Sequence, residues 1–211
     1  RHQGRGMSAP PKPYITEADY LERERASTTK HEYFAGEIFA MTGASEAHNL
    51  IASNITATLH RQLRGRSCRI YPSDMRLKVL QTGLNTYPDL TIVCGSSQFT
   101  DPIKRDTLIN PTVIIEILSP STERYDRGFK FQNYRTITSL QDYLLIAQDA
   151  AHLECYTRHE PNQWMLTEVF GLGSSLAIAS LSATLELADV YEQIELPPAP
   201  ELAIPGDTPI R

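Results

Sequence analysis

The amino-acid sequence predicts an α/β fold, a mixed central β-sheet flanked by helices, and three observations lead there. From Ser45 to about Arg64, Ile51, Ile55, Leu59 and Leu63 recur at helical spacing, so an apolar stripe runs along one side of a helix. Three shorter runs follow, CRIYPSDMRLKVL, YPDLTIVCG and PTVIIEILS, strand-like in residue type and parted by Gly, Asn, Asp and Pro. After a second helical stretch the strand-like runs resume, an order that packs helices on a sheet.

Taken along the chain, TEADYLERERAS places Thr16 ahead of early acidic residues and predicts a short, peripheral helix to about Ser27. EYFAGEIFAMTG has Gly36 between two β-prone pieces, which predicts a hairpin or a bent strand. Ser45 caps the long helix and Gly65 stops it. STERYDRGFKFQNYRT reads as a helix opened by Ser121 or Thr122, with Gly128 inside it costing ~1 kcal/mol relative to alanine. QDYLLIAQD, AHLECYTR and WMLTEVF read as strands, LELADVYEQI as a short helix, and the Pro-rich segment from Pro197 as a loose tail. Arg1 to Gly6, ahead of Met7, read as the remnant of an expression tag, which leaves residues 7–196 as a single domain.

With 211 residues the chain is long enough to bury a core without metal or disulfide staples, and 41% hydrophobic with 21% charged residues excludes a disordered or fibrous protein. Cys68, Cys94 and Cys155 sit in apolar or β-like stretches outside any CxxC or Cys/His cluster, so they read as reduced core thiols of a cytoplasmic protein. No apolar run approaches the roughly 18–20 residues that span a bilayer, so no membrane association is expected. The net charge of -5 argues against one large basic face for nucleic acid. Basic residues nevertheless gather at Arg61, Arg64, Arg66 and Arg69, and again at Arg124, Arg127, Lys130 and Arg135.

TVIIEIL is apolar on both alternating faces and so predicts a strand buried on both sides, with Glu116 in its middle. A carboxylate there costs several kcal/mol unless a cation, a hydrogen-bond donor or a metal compensates it. An arginine ion pair or a hydrogen bond from a neighbouring strand would do, as would a divalent ion. Upstream, Pro88-Asp89 opens another apolar strand, so Asp89 stands either in a turn or at the sheet end. Two acids on adjacent strands can share one hard cation. Mg²⁺ meets proteins through one or two carboxylates and keeps several waters, and the carbonyl of Ile117 could add a third oxygen. Such an ion serves phosphodiester hydrolysis.

YPDL, then IIEILSPSTERYDRGFKFQNYR and LQDYLLI, together with HEYFAGEIFAMTGAS, HNLI and YPSDMRL, closely resemble the putative restriction endonuclease family abundant in cyanobacteria, a branch of the PD-(D/E)XK nuclease superfamily. The resemblance runs from about His31 to Tyr191, and LSPSTERYDRGFK is its most specific string. It implies a restriction-endonuclease-like core in which Asp89 and Glu116 hold Mg²⁺ or Mn²⁺. The activity it implies is hydrolysis of DNA phosphodiesters by a homodimer, with no organic cofactor. Leu118 stands where the superfamily pattern has its lysine, and the resemblance implies that the cation has moved to Lys130 on the following helix. Apart from the family, Lys130 would be a surface residue paired with Asp126 at i, i+4.

Glu37 is the candidate fourth acid, with Glu32 in competition for that role. His48 falls on the inward stripe of the long helix, where a satisfied core histidine is the plainer reading. Asp74, after Pro-Ser, suits a turn and is a weaker site candidate. The competing expectation is a nuclease-fold DNA-binding, defence or mobile-element module that has lost turnover because Leu118 replaced lysine.

Overall fold

Thr16 accepts a hydrogen bond from the Asp19 amide and so starts α1 (Glu17–Ala26) in the computed structural model, which describes residues 12–198. The tag-like start and the Pro-rich end beyond residue 198 lie outside the described residues. The helix is less peripheral than expected, because Glu24 is buried and accepts hydrogen bonds from the His31 amide and the Tyr87 hydroxyl, each at 2.8 Å. β1 (His31–Phe34) and β2 (Glu37–Ala40) form the expected hairpin. Ala35 and Gly36 turn it with φ of 49° and 85°, the left-handed pair that two-residue hairpins favour.

Ser45 caps α2 (Glu46–Leu63) by accepting from the His48 amide, and the helix buries the predicted Ile51, Ile55, Leu59 and Leu63. Burying each such side chain contributes about 1.5–3 kcal/mol relative to exposure. Beyond Gly65, β3 (Cys68–Pro72), β4 (Arg76–Lys78), β5 (Asn85–Thr86), β6 (Leu90–Cys94), β7 (Thr107–Leu108) and β8 (Val113–Ile117) follow. The expected single strand run CRIYPSDMRLKVL is broken by a turn at Ser73 and Asp74, so β3 and β4 enter different sheets. The five-stranded sheet has the order β2-β1-β5-β4-β7.

The second helical stretch is segmented into α3 (Glu123–Tyr125), a π-helical turn (Asp126–Lys130) and α4 (Phe131–Tyr134). β9 (Asp142–Ile146), β10 (His152–Glu160) and β11 (Gln163–Phe170) complete a six-stranded sheet of order β11-β10-β9-β8-β6-β3. A small hairpin of β12 (Ser175–Ile178) and β13 (Ala183–Glu186) leads to α5 (Leu187–Val190). β8 lies between β6, to which it is antiparallel, and β9, to which it is parallel. All five of its residues are buried, as its apolar faces predict. Val113, Ile115 and Ile117 pack with α2, whereas Ile114 and Leu118 pack on the opposite side with Tyr134 and Tyr143.

The cysteines correct the expectation of three reduced thiols. Cys68 and Cys94 lie directly opposite in the β3–β6 ladder, with Cα atoms 3.9 Å apart, and are joined as a disulfide. Strand register brought them together, which a separation of 26 residues did not disclose. Cys155 alone is free, and it is buried. Since disulfides persist mainly in oxidising compartments, the cysteines no longer support the cytoplasmic reading. No helix among the described residues is long and apolar enough to cross a membrane.

Candidate active site

A cleft of about 1420 Å³ runs along the length of α2, between it, the segment after the hairpin and the segmented helix, and Asp89, Glu116 and Lys130 all line it. The sheet brings the two acids together. Asp89 sits just before β6, and its Oδ2 accepts a 2.7 Å hydrogen bond from the Ile117 amide of β8. Glu116 Oε2 in turn accepts from the Asp89 amide at 3.4 Å. Each acid therefore holds the other's strand, and the group of Ile117 that touches Asp89 is its N–H.

Glu116 is 2% exposed, and three groups answer its burial. The Lys130 ammonium and the Tyr134 hydroxyl donate to Oε1 at 3.0 and 2.9 Å, while the Asp89 amide faces Oε2. Burial pushes the Glu116 carboxyl well above the usual range; Lys130 works the other way, and Asp126 and Asp89 add to the rise. For Lys130, burial opposes the charge, but Glu116, Asp126 and Glu32 outweigh it and raise the ammonium above its ordinary value. Its Nζ lies 3.0 Å from Asp126 and 3.9 Å from Glu32. The i, i+4 pair with Asp126 expected of a surface lysine thus exists, but with both partners buried.

Burial, above all, raises the Asp126 carboxyl, with Lys130 opposing. The π turn that carries Asp126 and Lys130 is fastened to the sheet by the Tyr143 hydroxyl, which donates to the Asp126 carbonyl at 2.9 Å. π turns inside α-helices occur frequently at functional sites.

The hairpin acid that reaches the cluster is Glu32. Buried on β1, it accepts from the Thr86 hydroxyl and, at 2.9 Å, from the Tyr125 hydroxyl. Glu37 stays outside, exposed on β2 and paired with Lys12 at 3.2 Å. It shares a face with Glu32, since Phe34 pairs with Glu37 and Glu32 with Phe39, but it stands at the turn end of an edge strand. Asp74 is likewise exposed and pairs with Lys30. His48, expected as a satisfied core residue, lines the cleft with Nε2 3.0 Å from Asp89 Oδ1, and its buried Nδ1 has no hydrogen-bond partner.

Asp126, Tyr125 and Tyr134 were missed as members of the site. Their spacing around Lys130, four before, five before and four after, was the available signal. Leu118 lies on the same side of β8 as Glu116 but is absorbed in the apolar cluster with Tyr134 and Tyr143. Of the basic residues, Arg61 and Arg64 line the cleft, whereas Arg66 and Arg69 donate to the carbonyls of Ser182 and Gly95.

The residues present suit a hard divalent cation. Each ionised carboxylate has about four acceptor positions, and the hydrogen bonds to Asp89 and Glu116 do not fill them.

Comparison with known proteins agrees with this fold. A crystal structure of a nuclease, described as putative and as belonging to DUF820, from Anabaena variabilis is similar, with a TM-score of 0.69 at 20% identity over 84% of this chain and 97% of that one. Two proteins of Synechocystis sp. are similar in sequence. The uncharacterized protein sll1609 is 39% identical over 157 residues, 74% of this chain and 88% of its own length. The uncharacterized protein slr1290 is 32% identical over 184 residues, 86% and 93% respectively. A family model described as "Uma2: Putative restriction endonuclease" matches residues 17–190, from the first helix through the last, and the chain belongs to that family.

Proposed function

We propose that this protein is a Mg²⁺- or Mn²⁺-dependent endonuclease that hydrolyses DNA phosphodiester bonds. The observation that supports this most is the meeting of Asp89 and Glu116 on adjacent strands with the Lys130 ammonium 3.0 Å from Glu116. Asp89, Glu116 and the carbonyl of Ile117 would hold the ion. When bound, it supplies positive charge to the phosphoryl group and a low-pKa water.

The rest of the chemistry falls to the chain's own groups. Lys130, charged and held by three acids, stabilises the negative charge that builds on the phosphoryl oxygens and orients the attacking water. Tyr134 keeps Glu116 in place, and Glu32 with Asp126 keeps Lys130 in place. Arg61 and Arg64, exposed at the cleft wall, meet the phosphate backbone while the acids lie deeper. Two copies acting as a homodimer would supply one cleft to each strand of a duplex.

The test is nicking of supercoiled plasmid by wild type and Asp89→Asn with Mg²⁺, Mn²⁺ or EDTA. Loss of several kcal/mol of metal stabilisation corresponds to a decrease of about 100-fold or more in the variant. Equal nicking by both proteins would falsify the assignment. Sedimentation velocity in the same buffer tests the dimer.

A second reading, a DNA-binding module without turnover, has one observation in its favour. Lys130 already neutralises Glu116 and Asp126, so the acids are satisfied without a metal. It requires DNA binding by the wild type with no nicking under any metal.

A further inference from the structure

Away from the cleft, the β10–β11 ladder puts two carboxylates face to face. Glu154 on β10 pairs directly with Glu168 on β11, and His152 lies two residues before Glu154, on the same face of its strand. Like charges directly opposite in a ladder destabilise it. Here one of them is also 4% exposed.

The two oxygens of Glu154 have different partners. Oε2 accepts from Arg127, which also holds Glu123 at 3.0 Å. Oε1 accepts no hydrogen bond among the described residues and instead faces His152 Nε2 at 3.7 Å. That nitrogen is also 3.1 Å from Glu168 Oε1. One imidazole nitrogen and two carboxylate oxygens thus converge within 4.8 Å of one another. Metal–ligand distances of about 2.0–2.1 Å in a tetrahedral site put neighbouring donors about 3.3 Å apart, between the two distances found here.

The arrangement is braced before any ion arrives. Phe170, the ladder partner of His152, stacks on its ring at 4.2 Å and 5°. Arg127 restrains Glu154 through its Oε2. Glu168, 42% exposed, and the partly buried His152, 19% exposed, leave the outer side open to solvent for a further ligand.

We propose that His152, Glu154 and Glu168 form a second cation site, specific for a first-row transition ion of the Zn²⁺ or Co²⁺ type. An imidazole with two carboxylates suits such ions, whereas Mg²⁺ prefers oxygen donors and retained waters. The site does not depend on the reading of the cleft. It touches the cleft indirectly, since Arg127 belongs to the π turn that carries Lys130.

Co²⁺ titration followed by visible absorption tests it, with wild type, Asp89→Asn, His152→Ala and Glu168→Gln compared. Wild type and Asp89→Asn should develop the spectrum of a nitrogen- and oxygen-ligated Co²⁺, and Zn²⁺ should displace it. His152→Ala and Glu168→Gln should lose it or bind roughly ten-fold or more weakly. Glu168 is exposed, so its variant keeps the test valid should His152→Ala fold poorly. The proposal is overturned if both variants bind as the wild type does, if Asp89→Asn alone abolishes binding, or if the wild type develops no such spectrum. Failure of the nuclease reading would show separately, as absent plasmid nicking with the Co²⁺ spectrum intact.

Discussion

Glu116 and Lys130 are 14 residues apart in the chain and 3.0 Å apart in space, one at the centre of a strand buried on both sides and the other on a π turn above it. Their mutual neutralisation makes them a single energetic unit. Lys130→Met leaves Glu116 and Asp126 buried without their cation and should cost about 3–5 kcal/mol of stability. Adding Glu116→Gln should recover part of that loss, with Asp126 still buried without its cation. Urea denaturation of the two single variants and the double variant measures the coupling, and additive effects would contradict it.

Glu32 and Glu37 separate by position, one buried beside Lys130 and the other exposed. Glu32→Gln removes a charge 3.9 Å from Lys130 and weakens the hydrogen bonds that Glu32 accepts from the Thr86 and Tyr125 hydroxyls, and should reduce plasmid nicking about ten-fold, as loss of a charged acceptor of ~1.5 kcal/mol implies. Glu37→Gln touches an exposed pair with Lys12 and should leave nicking unchanged. Initial rates of the two variants decide between the hairpin acids.

Arg61→Ala/Arg64→Ala should weaken DNA binding and flatten its salt dependence. Each phosphate that the protein no longer neutralises lowers the slope of log K against log salt by about 0.9 for duplex DNA. Fluorescence anisotropy at several salt concentrations gives that slope. An unchanged slope would remove both arginines from the interface.

The three cysteines should differ in chemical access. Burial, more than any neighbour, pushes the Cys155 thiol from 9.0 up to about 12. Its folded pKa exceeds the unfolded one, so the stability it contributes is present below about pH 9 and is lost as the pH rises toward 12. Alkylation at pH 8 should miss Cys155 in the native protein and reach it in denaturant. Denatured protein should show one reactive thiol before reduction and three afterwards. Three thiols without reductant would exclude the Cys68–Cys94 bridge.

Much of the fold was legible because its signals are local. The stripe Ile51, Ile55, Leu59 and Leu63 states its own period, Ser45 and Gly36 state a cap and a turn, and apolar residues on both faces of β8 state its burial. The break at Ser73 and Asp74 was hidden because turn-tolerant residues sit between two β-prone runs that read as one. Glu116 stood out from the cost of burying an acid, Asp89 read equally as a turn residue until paired with it, and Lys130 was pointed out by the family resemblance, since on spacing alone it looked like half of a surface pair. Only tertiary packing buries it. Glu32 was distinguishable from Glu37 only once β5 was known to flank β1 and leave β2 at the edge.

The enclosure of Lys130 by Glu116, Asp126 and Glu32 also bears on descent. On the nuclease reading proposed above, a lineage released from selection for cleavage could not shed one of these charges without stranding the others in the protein interior, whereas apolar replacement of an entire buried cluster is often neutral or stabilising. Decayed copies of this gene should therefore differ at positions 116, 126 and 130 together, and the intact cluster should mark the copies still under selection.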